Sequence, residues 1–171
     1  MSHLLFLLWN FTWALPQNLA GLVLYLKNRK CAHKRFGHAI ISYLPLDIHK
    51  FGGVSLGMFI FINPGRPADW VHDADIHEYG HTMQSLLLGP LYLIVIGIAS
   101  FVWCNLPACR KIWKRPTGDG LYYTLFTEGW ANDWGCRATK TDFIDDQTLQ
   151  YGLYGKPYPP RFDRKGETDV S

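Results

Sequence analysis

The chain has 171 residues and a formal net charge of +3, with 48% hydrophobic residues and only 18% charged residues. This length suits one domain with its own core, and this composition excludes intrinsic disorder of the whole chain. The four cysteines lack the paired spacing of a zinc ribbon, and a chain of this size folds without disulfides, so we expect free thiols.

Two long segments, residues 1–26 and 82–109, contain no Asp, Glu, Lys or Arg. Their apolar parts, residues 3–26 and 86–106, are about long enough to span a bilayer, and a basic cluster follows each of them. This arrangement is typical of membrane association and lacks the basic, aromatic face of a nucleic-acid-binding protein. We expect one or two membrane-associated helices, membrane lipid as a partner and no nucleic acid. Two buried core helices of a soluble protein are the alternative.

Residues 38–63, between the apolar segments, are rich in Val, Ile, Phe and Tyr and are divided by Pro and Gly, which predicts two or three short strands. A helix is predicted over residues 73–88, with Asp69 or Asp73 as its N-cap. Gly89 and the proline after it should kink or interrupt any helix that continues from there.

A further helix is predicted over residues 120–138, and a polar chain punctuated by Pro and Gly follows. Residues 1–140 are therefore interpreted as one domain and residues 141–171 as a partly disordered tail. The predicted fold class is α+β, mostly helical, with a short β-sheet or hairpin and the membrane-associated apolar helices.

The motif with the clearest chemistry is His77-Glu78-Tyr79-Gly80-His81, an HExxH. On a helix, residues four positions apart share a face, so both imidazoles can reach one metal ion. Glu78 then lies beside them, where its carboxylate can take a proton from the attacking water. The motif predicts a zinc site with His77 and His81 as ligands and Glu78 as general base.

A third ligand is needed, and Glu128 is the candidate because it lies in a Trp-rich, apolar helix of a chain that contains only three glutamates. Asn132 follows one turn later on the same face, where it can hold a ligand imidazole by its second nitrogen, and Asp133 is the alternative for that role. Glu128 facing water on an amphipathic helix is the simpler reading.

With 46 residues between His81 and Glu128, the pattern HExxH followed by ExxxN resembles the gluzincin branch of zinc metallopeptidases. The blocks HEYGHTMQSLLLGPLYLIVIG and FTEGWAND are similar to those of a group of small bacterial membrane-associated proteins. The gluzincin resemblance implies a zincin-like domain, Zn²⁺ as cofactor, Glu128 as third ligand and an Asp or Asn four residues later in support.

The resemblance also implies peptide-bond hydrolysis, with a donor that stabilises the oxyanion. Tyr122 and Tyr123 are candidates for this donor, although core packing is the alternative role for both. Zincins place an edge strand before the active helix to pair with substrate, and residues 58–63 are either that strand or an interior one.

The expected function is hydrolysis of peptide or membrane-protein substrates at or near a membrane surface, in the bacterial plasma membrane. A non-catalytic, zinc-stabilised membrane protein that acts as a scaffold or pseudoenzyme is the alternative.

Overall fold

The structure, a computed structural model, describes residues 2–47, 52–113 and 121–143. Its fold is α+β and mostly helical with one small sheet, as the sequence predicts. Over the described ranges the α-helices are α1 His3–Asn10, α2 Leu15–Lys27, α3 Ala68–Leu88, α4 Ala99–Asn105, α5 Pro107–Trp113 and α6 Phe126–Thr139. The strands are β1 Ala32–Phe36, β2 Ala39–Tyr43, β3 Gly53–Leu56 and β4 Phe59–Ile62.

The four strands form one mixed sheet in the order β1-β2-β4-β3. β1 and β2 form an antiparallel hairpin, β3 and β4 form another, and β2 pairs with β4 in parallel. Side chains alternate between the two faces of a strand. Ile60 and Ile62 therefore pack toward Tyr79 of α3, whereas Phe59 and Phe61 pack toward Phe6 of α1.

The sheet decides one alternative and corrects one expectation. Residues 58–63 contain an interior strand and not an edge strand, because β4 lies between β2 and β3, and the edge on that side is β3. The sequence prediction of strands over 38–63 also missed β1, whose basic residues are exposed and carry no apolar alternation. β1 forms because its backbone pairs with the buried strand β2.

Helix α3 begins at Ala68, five residues before the predicted start at residue 73. Its N-cap is Pro67, so Asp69 and Asp73 lie inside the helix and neither is the cap. The helix ends at Leu88 as predicted, and Gly89 follows with a φ of +54°, which favours glycine.

The apolar segments are both divided. Residues 3–26 form α1 and α2, while the second segment continues after Gly89 as a 3₁₀ turn, a π-helix over Leu93–Ile98 and then α4. The predicted helix over 120–138 is a 3₁₀ helix, Leu121–Thr124, followed by α6. Most of the predicted tail, residues 144–171, lies outside the described residues. The four cysteines are free.

Helices α3 and α6 pack together so closely that two glycines are required. A Cβ on Gly80 would lie 1.8 Å from the carbonyl oxygen of Ala131, and a Cβ on Gly135 would lie 2.2 Å from that of Ile76. The contacts are reciprocal, since each helix presents a glycine to the other's backbone.

An apolar surface is formed by exposed side chains of α1, α2 and the chain after Gly89. Its two parts meet where the indole nitrogens of Trp9 and Trp13 donate to the carbonyl oxygens of Leu86 and Leu87, at 2.9 and 3.4 Å. We call this the apolar surface; it comprises Leu4, Leu5, Leu8, Trp9, Trp13, Leu19, Val23, Leu91, Ile94, Ile98 and Phe101.

In the described ranges, no single helix has both the length and the apolar character to cross a membrane. The segments Ala68–Leu91 and Leu93–Asn105 reach that threshold only as a pair, and they are bent by 114° relative to each other. Helix α3 therefore does not continue straight into the apolar segment that follows it.

We expect Gly135→Ala to lower the free energy of unfolding by about 1–3 kcal/mol, because its methyl group would overlap the backbone of α3. Urea or thermal unfolding followed by circular dichroism measures this change. The matched control is Gly97→Ala, whose nearest new contact is 3.8 Å away and which should leave stability unchanged or slightly raised. Equal stabilities of the two variants would contradict close packing of α3 on α6.

Candidate metal centre

The close contact of α3 and α6 brings His77, His81 and Glu128 together. One nitrogen of each imidazole and one carboxylate oxygen all lie within 4.8 Å of one another, and all three residues are buried. Nε2 of His77 is 3.2 Å from Glu128 Oε2, and Nε2 of His81 is 3.6 Å from the same oxygen. The three side chains form a group that could hold a metal ion, and the simpler reading of a water-facing Glu128 is excluded.

The two histidines are held by amide oxygens on their other nitrogens. His77 Nδ1 lies 2.5 Å from Asn132 Oδ1, and His81 Nδ1 lies 2.7 Å from Gln84 Oε1. A carbonyl oxygen only accepts hydrogen bonds, so each Nδ1 carries a proton and donates it. Each Nε2, directed at Glu128, is then the nitrogen that can offer its lone pair to a metal ion.

Gln84 is itself oriented by α6, because its Nε2 donates to the carbonyl oxygen of Thr127 at 2.8 Å. This contact directs Oε1 toward His81. The sequence analysis missed Gln84, although its position three residues after His81 places it on the same side of α3.

Asn132 lies where the sequence analysis places it, with its Oδ1 against Nδ1 of His77. Asp133, the alternative, forms an ion pair with Arg137, whose Nε is 2.9 Å from the carboxylate. The ring of Tyr123 packs edge-to-face on His77, with ring centroids 5.4 Å apart. The Tyr122 hydroxyl lies 3.0 Å from Cys104 Sγ.

The pKa values of the cluster follow from burial and mutual charge. Burial tends to raise the pKa of Glu128, but hydrogen bonds from His77 and His81 outweigh it and hold that pKa well below its usual range. Burial tends to lower the pKa of His81, but its contacts with Glu128 outweigh burial and raise that pKa to about 9. The buried carboxylate of Glu128 is thus stabilised by its close contacts with the two imidazoles.

Glu78 differs from Glu128 in its surroundings. Its carboxylate is buried, and Oε2 has no hydrogen-bond partner in the described part of the chain. Burial raises the pKa of Glu78, against the opposing effect of the charges on His81 and His77. A buried carboxylate oxygen without a partner is costly unless it receives a hydrogen bond from water or a ligand.

Glu78 also contacts the outer strand of the sheet. A Cβ on Gly53 of β3 would lie 2.6 Å from Glu78 Oε1, so any side chain at this position would displace the carboxylate. The absence of a side chain at Gly53 therefore leaves space for Glu78 beside the edge strand.

Comparison of the chain with models of known protein families, with curated proteins and with solved structures gives no significant match.

We expect Asn132→Ala to weaken binding of divalent metal ions about 10–100-fold, because His77 loses the acceptor that fixes its tautomer. Competition with a chelator of known affinity measures this loss. Asn28→Ala is the matched control, since the Asn28 side chain donates to the carbonyl oxygen of Leu24 at the end of α2, on an element that does not contribute to the cluster. Equal affinities in the wild type and Asn132→Ala would contradict the proposed support of His77.

Proposed function

We propose that the protein is a zinc-dependent metallopeptidase that acts at or near a membrane surface. The observation that carries this proposal is the geometry around HExxH. Two Nε2 atoms and one carboxylate oxygen converge in a buried site, and the nearby carboxylate of Glu78 has one oxygen, Oε2, with no hydrogen-bond partner in the described part of the chain.

The donor set fits zinc. Two imidazole nitrogens and one carboxylate oxygen are ligands that zinc prefers, and three protein ligands leave one position for water or substrate. His77, His81 and Glu128 would hold the ion. When bound, it would supply Lewis-acid chemistry to the scissile carbonyl group and to the attacking water.

Glu78 is the general base of the proposed reaction. Its Oε2 accepts a proton from the attacking water and then delivers it to the leaving amine nitrogen. Burial raises the pKa of Glu78 toward neutral pH, and a group with such a pKa can both accept and return a proton.

The edge strand β3 is the proposed docking strand for substrate, in place of residues 58–63. It is the outer strand beside Glu78, and an extended peptide that pairs with it would bring an amide bond to this carboxylate. Peptides, and exposed segments of membrane proteins, are the proposed substrates.

The apolar surface supports a location at a membrane. It contains several large apolar side chains that are more than half exposed, which is unusual for a face in contact with water only. Lys27 ends α2, Arg29 and Lys30 follow it, and Arg110 and Lys111 lie in α5, so basic residues flank the apolar elements. We propose that this face lies in the interface of a bacterial plasma membrane.

A non-catalytic, zinc-stabilised membrane protein is the second candidate. The observation that favours it is the depth of the cluster, since His77, His81 and Glu128 are all less than 10% exposed. A buried metal ion of this kind would stabilise the packing of α3 against α6.

The decisive experiment compares metal content and peptide hydrolysis in the wild type, His81→Ala and Glu78→Gln. We expect about one zinc per chain in the wild type and in Glu78→Gln, and a large loss in His81→Ala. Hydrolysis of a mixed peptide library should fall roughly 10²–10⁴-fold in Glu78→Gln, because only the base is removed.

His33→Ala is the control for loss of a histidine, since His33 lies on the exposed strand β1 and contacts Ser42. Zinc binding without any hydrolysis that depends on Glu78 would favour the non-catalytic candidate. Absence of zinc from the wild type, even after zinc is added, would contradict both.

A second experiment tests the membrane location. We expect the wild type to sediment with phospholipid vesicles, and Leu4→Ser with Leu8→Ser in one chain to weaken this binding at least about tenfold, because two inserted leucines are lost. Leu46→Ser, an exposed leucine in the loop after β2, is the control. Wild-type protein that stays in the aqueous phase would contradict the proposed location.

A further inference from the structure

The outer edge of β3 runs along helix α3 and away from Glu78. Gly53 lies against the Glu78 carboxylate, while Ser55 Oγ lies 3.2 Å from Thr82 Oγ1, one helical turn further along α3. Positions 53 and 55 therefore face α3 from the same side of the strand, at successive distances from the proposed base.

The backbone groups at these two positions point outward. In an antiparallel pair, residues alternate between those that exchange hydrogen bonds with the partner strand and those that do not. Asn63 N donates to Gly52 O, and the register pairs Gly53 with Ile62 and Ser55 with Ile60. Gly53 and Ser55 thus direct their N–H and C=O groups away from β4, toward the outer side of the sheet.

Tyr92 lies beside Ser55 at the outer edge of β3. Its hydroxyl donates to the Ser55 carbonyl oxygen at 3.3 Å, and its side chain is only 4% exposed. Tyr92 comes from the chain that bends back after Gly89, so it reaches the edge from outside the sheet. The Tyr92 hydroxyl therefore lies where the backbone N–H of an added strand would otherwise donate to the Ser55 carbonyl oxygen.

We infer that Tyr92 ends the docking edge, so that the protein removes short amino-terminal pieces from peptides. The inference rests on the proposed peptidase function. Antiparallel pairing is the more stable mode, and it directs the amino end of a bound peptide toward Ser55. Because Glu78 lies at Gly53, the cleaved bond is next to the peptide residue that pairs with Gly53. The peptide residue that pairs with Ser55 is two positions closer to the amino end. Tyr92 blocks that earlier position, which leaves room for about one or two residues before the cleaved bond.

The test uses two series of synthetic peptides around one sequence, extended by one to six residues at the amino or the carboxyl end. Mass spectrometry locates the cuts made by the zinc-loaded protein. We expect cleavage after the first or second residue, a rate at least tenfold lower for bonds further inside, and little effect of extension at the carboxyl end.

Substitution of Tyr92 should change the number of residues that are accepted before the cleaved bond. Tyr92→Leu fills the core but does not reach Ser55, so its cuts should move further from the amino end. Tyr92→Phe keeps the ring at the edge and should retain the limit. Tyr25→Leu is the matched control, because Tyr25 packs on the opposite face of the sheet and should leave cut positions unchanged.

Binding provides a readout without turnover. The zinc-loaded Glu78→Gln protein is titrated with the peptides, each labelled at its carboxyl end, and binding is followed by fluorescence anisotropy. We expect extension at the amino end to weaken binding, and we expect this loss to disappear when Tyr92→Leu is added to the Glu78→Gln protein.

Cuts in the interior of long peptides by the wild type, or cuts near the carboxyl end, would overturn the inference while leaving the peptidase function intact. If no cleavage depends on zinc and Glu78, the peptidase function itself fails, and this inference fails with it.

Discussion

The site depends on one packing constraint, the close approach of α3 to α6. Gly80 and Gly135 allow each helix to contact the backbone of the other, with no room for a Cβ on either. This approach brings Glu128 to His77 and His81, and it also supplies Asn132 to one imidazole. A single helix pair thus provides the candidate ligands and the groups that orient them, so the site forms only when the domain packs correctly.

The charges of this cluster are buried, so each of them needs a partner. A buried carboxylate is costly unless it is paired, and Glu128 is paired with two imidazoles whose other nitrogens donate to amide oxygens. The fixed tautomers direct both Nε2 atoms to the same oxygen. Two imidazole nitrogens and one carboxylate oxygen that converge in this way form a group that could hold a metal ion. Among the described residues, Oε2 of Glu78 has no hydrogen-bond partner, which fits the proposed role of this carboxylate toward water or substrate.

The bend after α3 connects the site with its surroundings. Because the chain turns by 114° after α3, the apolar segment returns along the domain and contributes Tyr92 to the edge of β3. The same segment forms part of the apolar surface, and its Ser100 contacts Thr127, next to Glu128. This one segment therefore contacts the proposed substrate edge and also forms part of the proposed membrane face.

Local sequence was sufficient for the features that depend on short spacing. The i, i+4 spacing predicted that His77 and His81 share a face of α3 and that Glu128 and Asn132 share a face of α6, because helix geometry decides which residues share a face. That the two faces meet was an expectation from the need for a third ligand and from the gluzincin resemblance, and the packing of α3 on α6 brings them together. Gly89 likewise predicted the end of α3. The strand order, the interior position of β4, the pairing that forms β1 and the place of Tyr92 could not be read this way. Each depends on which distant segments pack together, and that choice is made by burial and backbone pairing across the whole domain.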